Sequence, residues 1–175
     1  MLNFDPDTLL EYHQVANCYR GDALTTAYAP GKVILFGEHA VVYGRPAIAV
    51  PVTQVRACAV VEDAPEGQGI TIHALDLKLQ HHVGTAITVE HAAYPLEATV
   101  RNTLERLGVV DIPDLTLTVS STVPIARGLG SGAAVATAIV RALARYLGCN
   151  LTSREVSDLV YQTEVIHHGT PSGID

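Results

Sequence analysis

Residues 124–134 read PIARGLGSGAA. The stretch lies where the hydrophobic period changes, and that change sets the fold class. Before it, DLTLTVSSTVP alternates, with Leu115, Leu117 and Val119 facing one way and Thr116 and Thr118 the other, as in a half-buried strand. After it, Val135, Ile139, Leu143 and Leu147 recur at helical spacing, with alanines between them and Gly148 at the end. The segment is therefore strand, glycine-rich turn, helix. One glycine would serve a plain turn. Gly128, Gly130 and Gly132 instead remove three Cβ atoms where the helix dipole is positive. Such a loop lets backbone N–H groups converge on an anion, and Ser131 adds a hydroxyl. No lysine follows the glycines, which excludes a Walker A loop. A Rossmann pattern is formally met by Gly128, Gly130 and Ala133. It lacks the second strand ending in an acid, because LGCNLTSRE reads as a helix-to-helix connection.

Working outward, residues 25–60 are β-rich. TTAYA and KVILFG read as strand segments. AIAVPVTQVRACAVVE is a long β-branched run whose Pro51 predicts an edge position or a bulge. APEGQG at 64–69 is a turn cluster, and ITIHALDLKLQ at 70–80 reads as one half-buried strand. Leu96, Val100, Leu104 and Leu107 predict a helix stopped by Gly108. Thr152 and Glu155 form a capping box that opens a last helix. Val156, Leu159, Val160 and Thr163 are its buried stripe, and Gly169 and Pro171 its stop. Strands and helices in this order give an α+β class.

The 175 residues are 48% hydrophobic and 17% charged, enough for one domain with a substantial core. A net charge of −7 leaves no basic footprint for nucleic acid. The apolar runs are too short and interrupted for a membrane helix. The N-terminus carries acids and lacks a basic region followed by an apolar core, so it is not read as a signal peptide. Residues 1–24 read as an appendage, either a short helix around Asp7–Val15 or disordered. Cys18, Cys58 and Cys149 are scattered, odd in number and without CxxC spacing, so they read as structural thiols of a reducing cytoplasm.

Two further stretches carry chemistry: APGKVILFGEHAVVYG at 29–44 and HHGTPSGID at 167–175. Singly, each has an ordinary explanation. Lys32 and Glu38 fit a solvated face, and His39 a packing position. His167 and His168 point about 100° apart on a helix, and no third ligand for zinc is evident. Taken with PIARGLGSGAA, however, the three stretches resemble the GHMP kinases, from about residue 25 to the end. GEHAVV and TEVIHHGTPSGID are most similar to the branch that phosphorylates mevalonate.

The resemblance implies the family's N-terminal domain over 25–175, like domain 2 of ribosomal protein S5, with a mixed or antiparallel sheet and helices on one face. It implies transfer of the γ-phosphoryl group of ATP, with Mg²⁺, to the primary hydroxyl of mevalonate in the cytoplasm. Asp175 matches the catalytic aspartate, and Lys32 the lysine beside it that steadies developing negative charge. Pro124, Arg127, Gly128, Leu129, Gly130, Ser131, Gly132 and Ala133 match the nucleotide loop. Lys32, Glu38, His39, Ser172 and Asp175 match substrate positions, and Glu164 and Ser131 match metal ligands. Family members commonly read GLGSS where this chain has GLGSG, and one serine of that pair is the family's metal ligand: if it is the first, Ser131 keeps the role here, and if it is the second, the hydroxyl is absent and a water replaces it. The family's C-terminal domain and third glycine-rich motif have no match in this sequence, and the chain alone is expected to have little or no kinase activity. Another small-molecule kinase of the family, such as one acting on phosphomevalonate, and a catalytically silent nucleotide-binding fragment are the alternatives. Neither a nucleic-acid nor a membrane partner is expected, and the assembly is open between monomer and homodimer.

Overall fold

The computed structural model describes residues 24–38, 41–84 and 94–168. Five strands form one mixed sheet: β1 (Leu24–Phe36), β2 (Ile48–Asp63), β3 (Ile70–Ala74), β4 (Leu79–Val83) and β5 (Leu115–Ser121). Their order is β1-β2-β5-β3-β4. All neighbours are antiparallel except β3 and β5, which run parallel, with Ile70 opposite Leu115 and Ala74 opposite Val119. Three helices complete the fold: α1 (Tyr94–Arg106), α2 (Ser131–Tyr146) and α3 (Ser153–His168). Helix α2 packs across β1, β2 and β5, while α1 and α3 pack on α2 and on each other. The α+β class and the mixed sheet expected from the sequence are the ones found.

Small residues set how closely helix and sheet approach. Ala27, Ala29, Ala57 and Ala59 face the core from β1 and β2, where Ala134, Ala138 and Ala142 of α2 join the same cluster. Larger side chains fill the centre: Ile70, Ile72, Leu115, Leu117, Ile139 and Leu143 are fully buried. A second cluster joins Ala133, Ala136 and Val140 of α2 to Val156, Leu159 and Val160 of α3. This packing brings the start of α2 beside the end of α3.

Three local expectations change. TTAYA and KVILFG are one strand, β1, carried through Pro30-Gly31 by a register shift: Pro30 pairs with Arg56 and Gly31 with Val52. The bulge expected in the β2 run lies there, and Pro51 pairs only with β1, beyond the reach of β5, so no central ladder bond is lost. ITIHALDLKLQ is not one strand. It folds back as a hairpin through a 3₁₀ turn at Leu75–Leu77, closed by Lys78 at φ 51°. Alternation runs on across the turn, and a non-glycine residue takes the left-handed position, so the break has no compositional mark. Finally, Cys58 is a free thiol but Cys149 is disulfide-bonded. The lack of a CxxC spacing argues only against pairing between near neighbours.

A buried acid ties the hairpin to α1. Glu97 is 6% exposed. Its Oε2 lies 2.5 Å from His81 Nε2 on β4, and its Oε1 accepts from Arg101 Nε at 2.6 Å. Arg101 also donates to the carbonyl of Gly84. A buried carboxylate needs both oxygens satisfied; here one reaches β4 and the other stays within α1.

Candidate functional site

The loop between β5 and α2 is anchored at its start. Thr122 N–H donates to Arg56 O at 2.9 Å, Arg56 N–H donates to Thr122 Oγ1 at 3.0 Å, and Val123 N–H donates to Ser121 Oγ at 3.1 Å. The chain then turns through positive φ at Ala126 (56°), Gly128 (72°) and Gly130 (63°) before α2 begins. Gly130 is the N-cap residue, and no side chain caps the helix there. Ala134 N–H reaches back to Gly130 O at 2.9 Å. The N–H groups of the first turn, with the positive end of the helix dipole behind them, form the kind of backbone surface that binds anions.

Lys32 meets this loop through both its backbone and its side chain. Its N–H donates to Leu129 O at 3.0 Å. Its side chain lies across Gly130 so closely that a Cβ there would stand 2.8 Å from Lys32 Cε and 2.9 Å from Cγ. Gly31 allows the approach, since its own Cβ would come within 3.2 Å of Leu129 O and 3.0 Å of Val55 Cγ2. Gly130 is thus required twice, by its left-handed angle and by the lysine above it.

On the other side of the helix start lies Glu164, from the last turns of α3. A Cβ on Gly132 would meet Glu164 Oε1 at 2.9 Å, so the carboxylate takes space that a side chain at 132 would fill. Ser131, Gly132 and Glu164 close one end of a pocket of about 300 Å³. Its walls are largely apolar, including Leu96, Val123, Ile125 and Val135, with Asp76 and Leu77 of the hairpin turn at another part of the rim. Thr99 and Thr163 also line it, but their hydroxyls already donate to Pro95 O at 2.7 Å and Leu159 O at 3.3 Å.

The structure therefore brings together Lys32, Leu129, Gly130, Ser131, Gly132 and Glu164. Pro124, Arg127 and Gly128 are exposed on the loop. The Ala133 side chain is buried in the cluster between α2 and α3, which leaves its backbone as its route to a ligand. Glu38 is exposed just beyond the end of β1. His39, Ser172 and Asp175 lie outside the described residues. Sequence reasoning missed the hairpin turn and the α1 wall of the pocket. Asp76, Pro95 and Thr99 are far from the glycine loop along the chain, and no local motif marks them.

The residues present fit a Mg²⁺–phosphate site. A carboxylate and a hydroxyl, Glu164 and Ser131, face one end of the pocket beside an anion-binding helix start. Mg²⁺ typically takes one or two protein ligands, with phosphate oxygens and water supplying the rest. Among the described residues no group of three or more His, Cys, Asp or Glu gathers to hold a metal without such help.

Residues 93–175 match the family GHMP kinases N terminal domain. The mevalonate kinase of Pyrococcus horikoshii is 36% identical over 167 residues, covering 85% of this chain and 47% of that protein. The crystal structure of the Methanococcus jannaschii mevalonate kinase superposes with a TM-score of 0.76 at 26% identity, covering 88% of this chain and 50% of that one. The mevalonate kinase of L. major, solved in complex with R-mevalonate, gives a TM-score of 0.65 at 26% identity, over 86% of this chain and 45% of that one. The chain spans about half the length of the curated relatives it matches.

Proposed function

We propose that this chain, which belongs to the GHMP kinases, supplies the nucleotide-binding half of an enzyme that transfers the γ-phosphoryl group of ATP to the primary hydroxyl of mevalonate. The observation that carries the reading is the start of α2. It is uncapped by any side chain, overlaid by Lys32 and open to an apolar pocket. The phosphates fit the backbone donors of Gly130–Ala133, and the base fits the apolar walls.

Phosphoryl transfer asks mainly for positioning and charge neutralisation. In this reading Lys32 stabilises the negative charge that develops as the acceptor oxygen attacks, and Asp175 takes that hydroxyl's proton. Glu38, His39 and Ser172 orient the acceptor. Glu164 and Ser131 would hold Mg²⁺, which would neutralise charge on the phosphate oxygens, and Gly132 offers no hydroxyl of its own. The reaction belongs to the cytoplasm, where ATP is abundant. Among the described residues no helix is long and apolar enough to cross a membrane.

Titration calorimetry tests this directly. With Mg²⁺ present, ATP is expected to bind the chain, and mevalonate is expected to alter that binding where phosphomevalonate, homoserine and galactose do not. A phosphomevalonate effect in its place would reassign the acceptor. ATP binding that no acceptor alters would reduce the chain to a silent nucleotide binder, and absence of ATP binding would overturn the reading.

A further inference from the structure

Two walls of the pocket beside the glycine loop come from separate parts of the fold. One is the turn between β3 and β4, with Ala74 and Leu77, and the other is the start of α1, with Pro95, Leu96 and Thr99. The sheet sets the first wall, because β3 pairs with both β4 and β5. The second has no such ladder, since α1 packs chiefly on α2 and α3. A polar clasp joins its first turn to the hairpin instead. Glu97 Oε2 lies 2.5 Å from His81 Nε2 on β4, and the two side chains are only 8% and 15% exposed. Arg101, one turn on, donates to Glu97 Oε1 at 2.6 Å and to the carbonyl of Gly84, just past β4. None of the three side chains lines the pocket. Glu97 nevertheless stands next to Leu96 and two residues before Thr99, which do.

We propose that His81 and Glu97 are a positioning pair for the nucleotide: they hold the start of α1 against the hairpin and so set the width of the slot that takes the base. The proposal rests on the nucleotide reading given above. Its physical basis is the cost of a buried carboxylate that has lost a partner. With His81 in place, Glu97 keeps α1 close to β4. Without that donor, Oε2 turns to water for its hydrogen bond, and the first turn of α1, which carries Glu97, moves with it. Leu96 then leaves the wall. The glycine loop and the start of α2 are held by β5 and Lys32, on the other side of the pocket, so the phosphates keep their site. Loss of the pair weakens the grip on the base and spares the grip on the phosphates.

The test compares ATP with tripolyphosphate, which has the phosphates and no base, by titration of the full chain with Mg²⁺ present. In His81→Leu, ATP affinity is expected to fall about tenfold while tripolyphosphate affinity stays within about twofold. In His81→Gln the side-chain amide takes the place of Nε2 and donates to Glu97 Oε2, and ATP affinity is expected to return to within about threefold of the unmodified chain. A merely structural role would weaken both ligands together, or lower the melting temperature and leave ATP affinity alone. Either result would overturn the proposal, as would a His81→Gln chain that binds ATP no better than His81→Leu. If His81→Leu does not fold, as judged by its circular dichroism, Arg101→Met decides. It removes the bonds to Glu97 and Gly84 from a half-exposed side chain, and ATP affinity is expected to fall about threefold with tripolyphosphate unchanged. Unchanged ATP affinity there, or a parallel loss of both ligands, would again overturn the proposal. Failure of the unmodified chain to bind ATP would count against the nucleotide reading itself.

Discussion

Helices α2 and α3 lie side by side and begin in opposite ways. Helix α3 satisfies its own first turn. Thr152 Oγ1 accepts from Glu155 N–H at 3.3 Å, and Glu155 Oε2 accepts from Thr152 N–H and from Thr152 Oγ1, each at 2.8 Å. Helix α2 begins at a glycine with φ 63° and no side-chain cap. A glycine in place of a capping side chain forfeits about a few tenths of a kcal/mol. A chain that caps one helix fully and leaves its neighbour open is using the second for something other than stability. What surrounds the open start supports that: a lysine laid over it, a carboxylate beside it and a pocket in front.

The harshest way to break the contrast is Gly130→Val. A β-branched residue at φ 63° is strained by about 1–3 kcal/mol, and its Cβ would stand 2.8 Å from Lys32 Cε. ATP affinity is expected to fall about hundredfold, a loss of about 2.7 kcal/mol, with lowered thermal stability alongside. Calorimetry and a melting curve separate the two. Normal ATP affinity with reduced stability would mean that the loop is only a turn between strand and helix.

Gly132→Ser sharpens the comparison with a smaller change. The new Cβ would meet Glu164 Oε1 at 2.9 Å, and that atom is the end of a flexible side chain, so the carboxylate moves aside and the fold is kept. The added hydroxyl supplies a ligand beside Glu164, so the Mg²⁺ concentration needed for half-maximal ATP binding is expected to fall about threefold, or about 0.65 kcal/mol. A Mg²⁺ titration that does not move would show that residue 132 does not face the ion.

Both helix starts were legible in the sequence, because their information is local. Three glycines between a strand and a helix, and Thr152 followed by Glu155, are patterns within a few residues. The stripe of Val156, Leu159, Val160 and Thr163 was equally local, and all four are buried. The pocket was not legible, because its walls are assembled over distance. The turn at Leu75–Leu77 interrupts an alternation that continues on both sides of it, and Asp76 reaches Ser121 across 45 positions of the chain. The parallel pairing of β3 with β5, which brings that turn toward the glycine loop, is likewise a property of the whole sheet. Glu164 stood between the two cases. Its identity as an acid near a helix end was visible, but its contact with Gly132 depends on how α2 and α3 pack.

The capped start gives the gentlest test. Thr152→Ala is expected to cost about 1 kcal/mol of stability and to leave ATP affinity unchanged, since the cap lies at the end of α3 away from the pocket. The same cap has a pH signature. The Thr152 backbone N–H, then its hydroxyl, and then Arg106 at 2.7 Å favour the ionised Glu155 and hold its carboxyl below the ordinary glutamate value of 4.5. A carboxyl whose folded-state value is lowered contributes stability that is fully present above its unfolded value and is lost as pH falls through the folded one. Unfolding midpoints measured from neutral pH downward should therefore drop more steeply below about pH 4.5 in the unmodified chain than in Glu155→Gln. The difference is expected to be small, because the group is close to solvent and its ion pair with Arg106 is screened. Glu155→Gln keeps the side-chain oxygen that accepts from Thr152 but removes the charge, so at neutral pH it should be slightly less stable than the unmodified chain and should converge with it in acid. Parallel curves at all pH values would show that the cap works through hydrogen-bond geometry alone, with no contribution from charge at the start of α3.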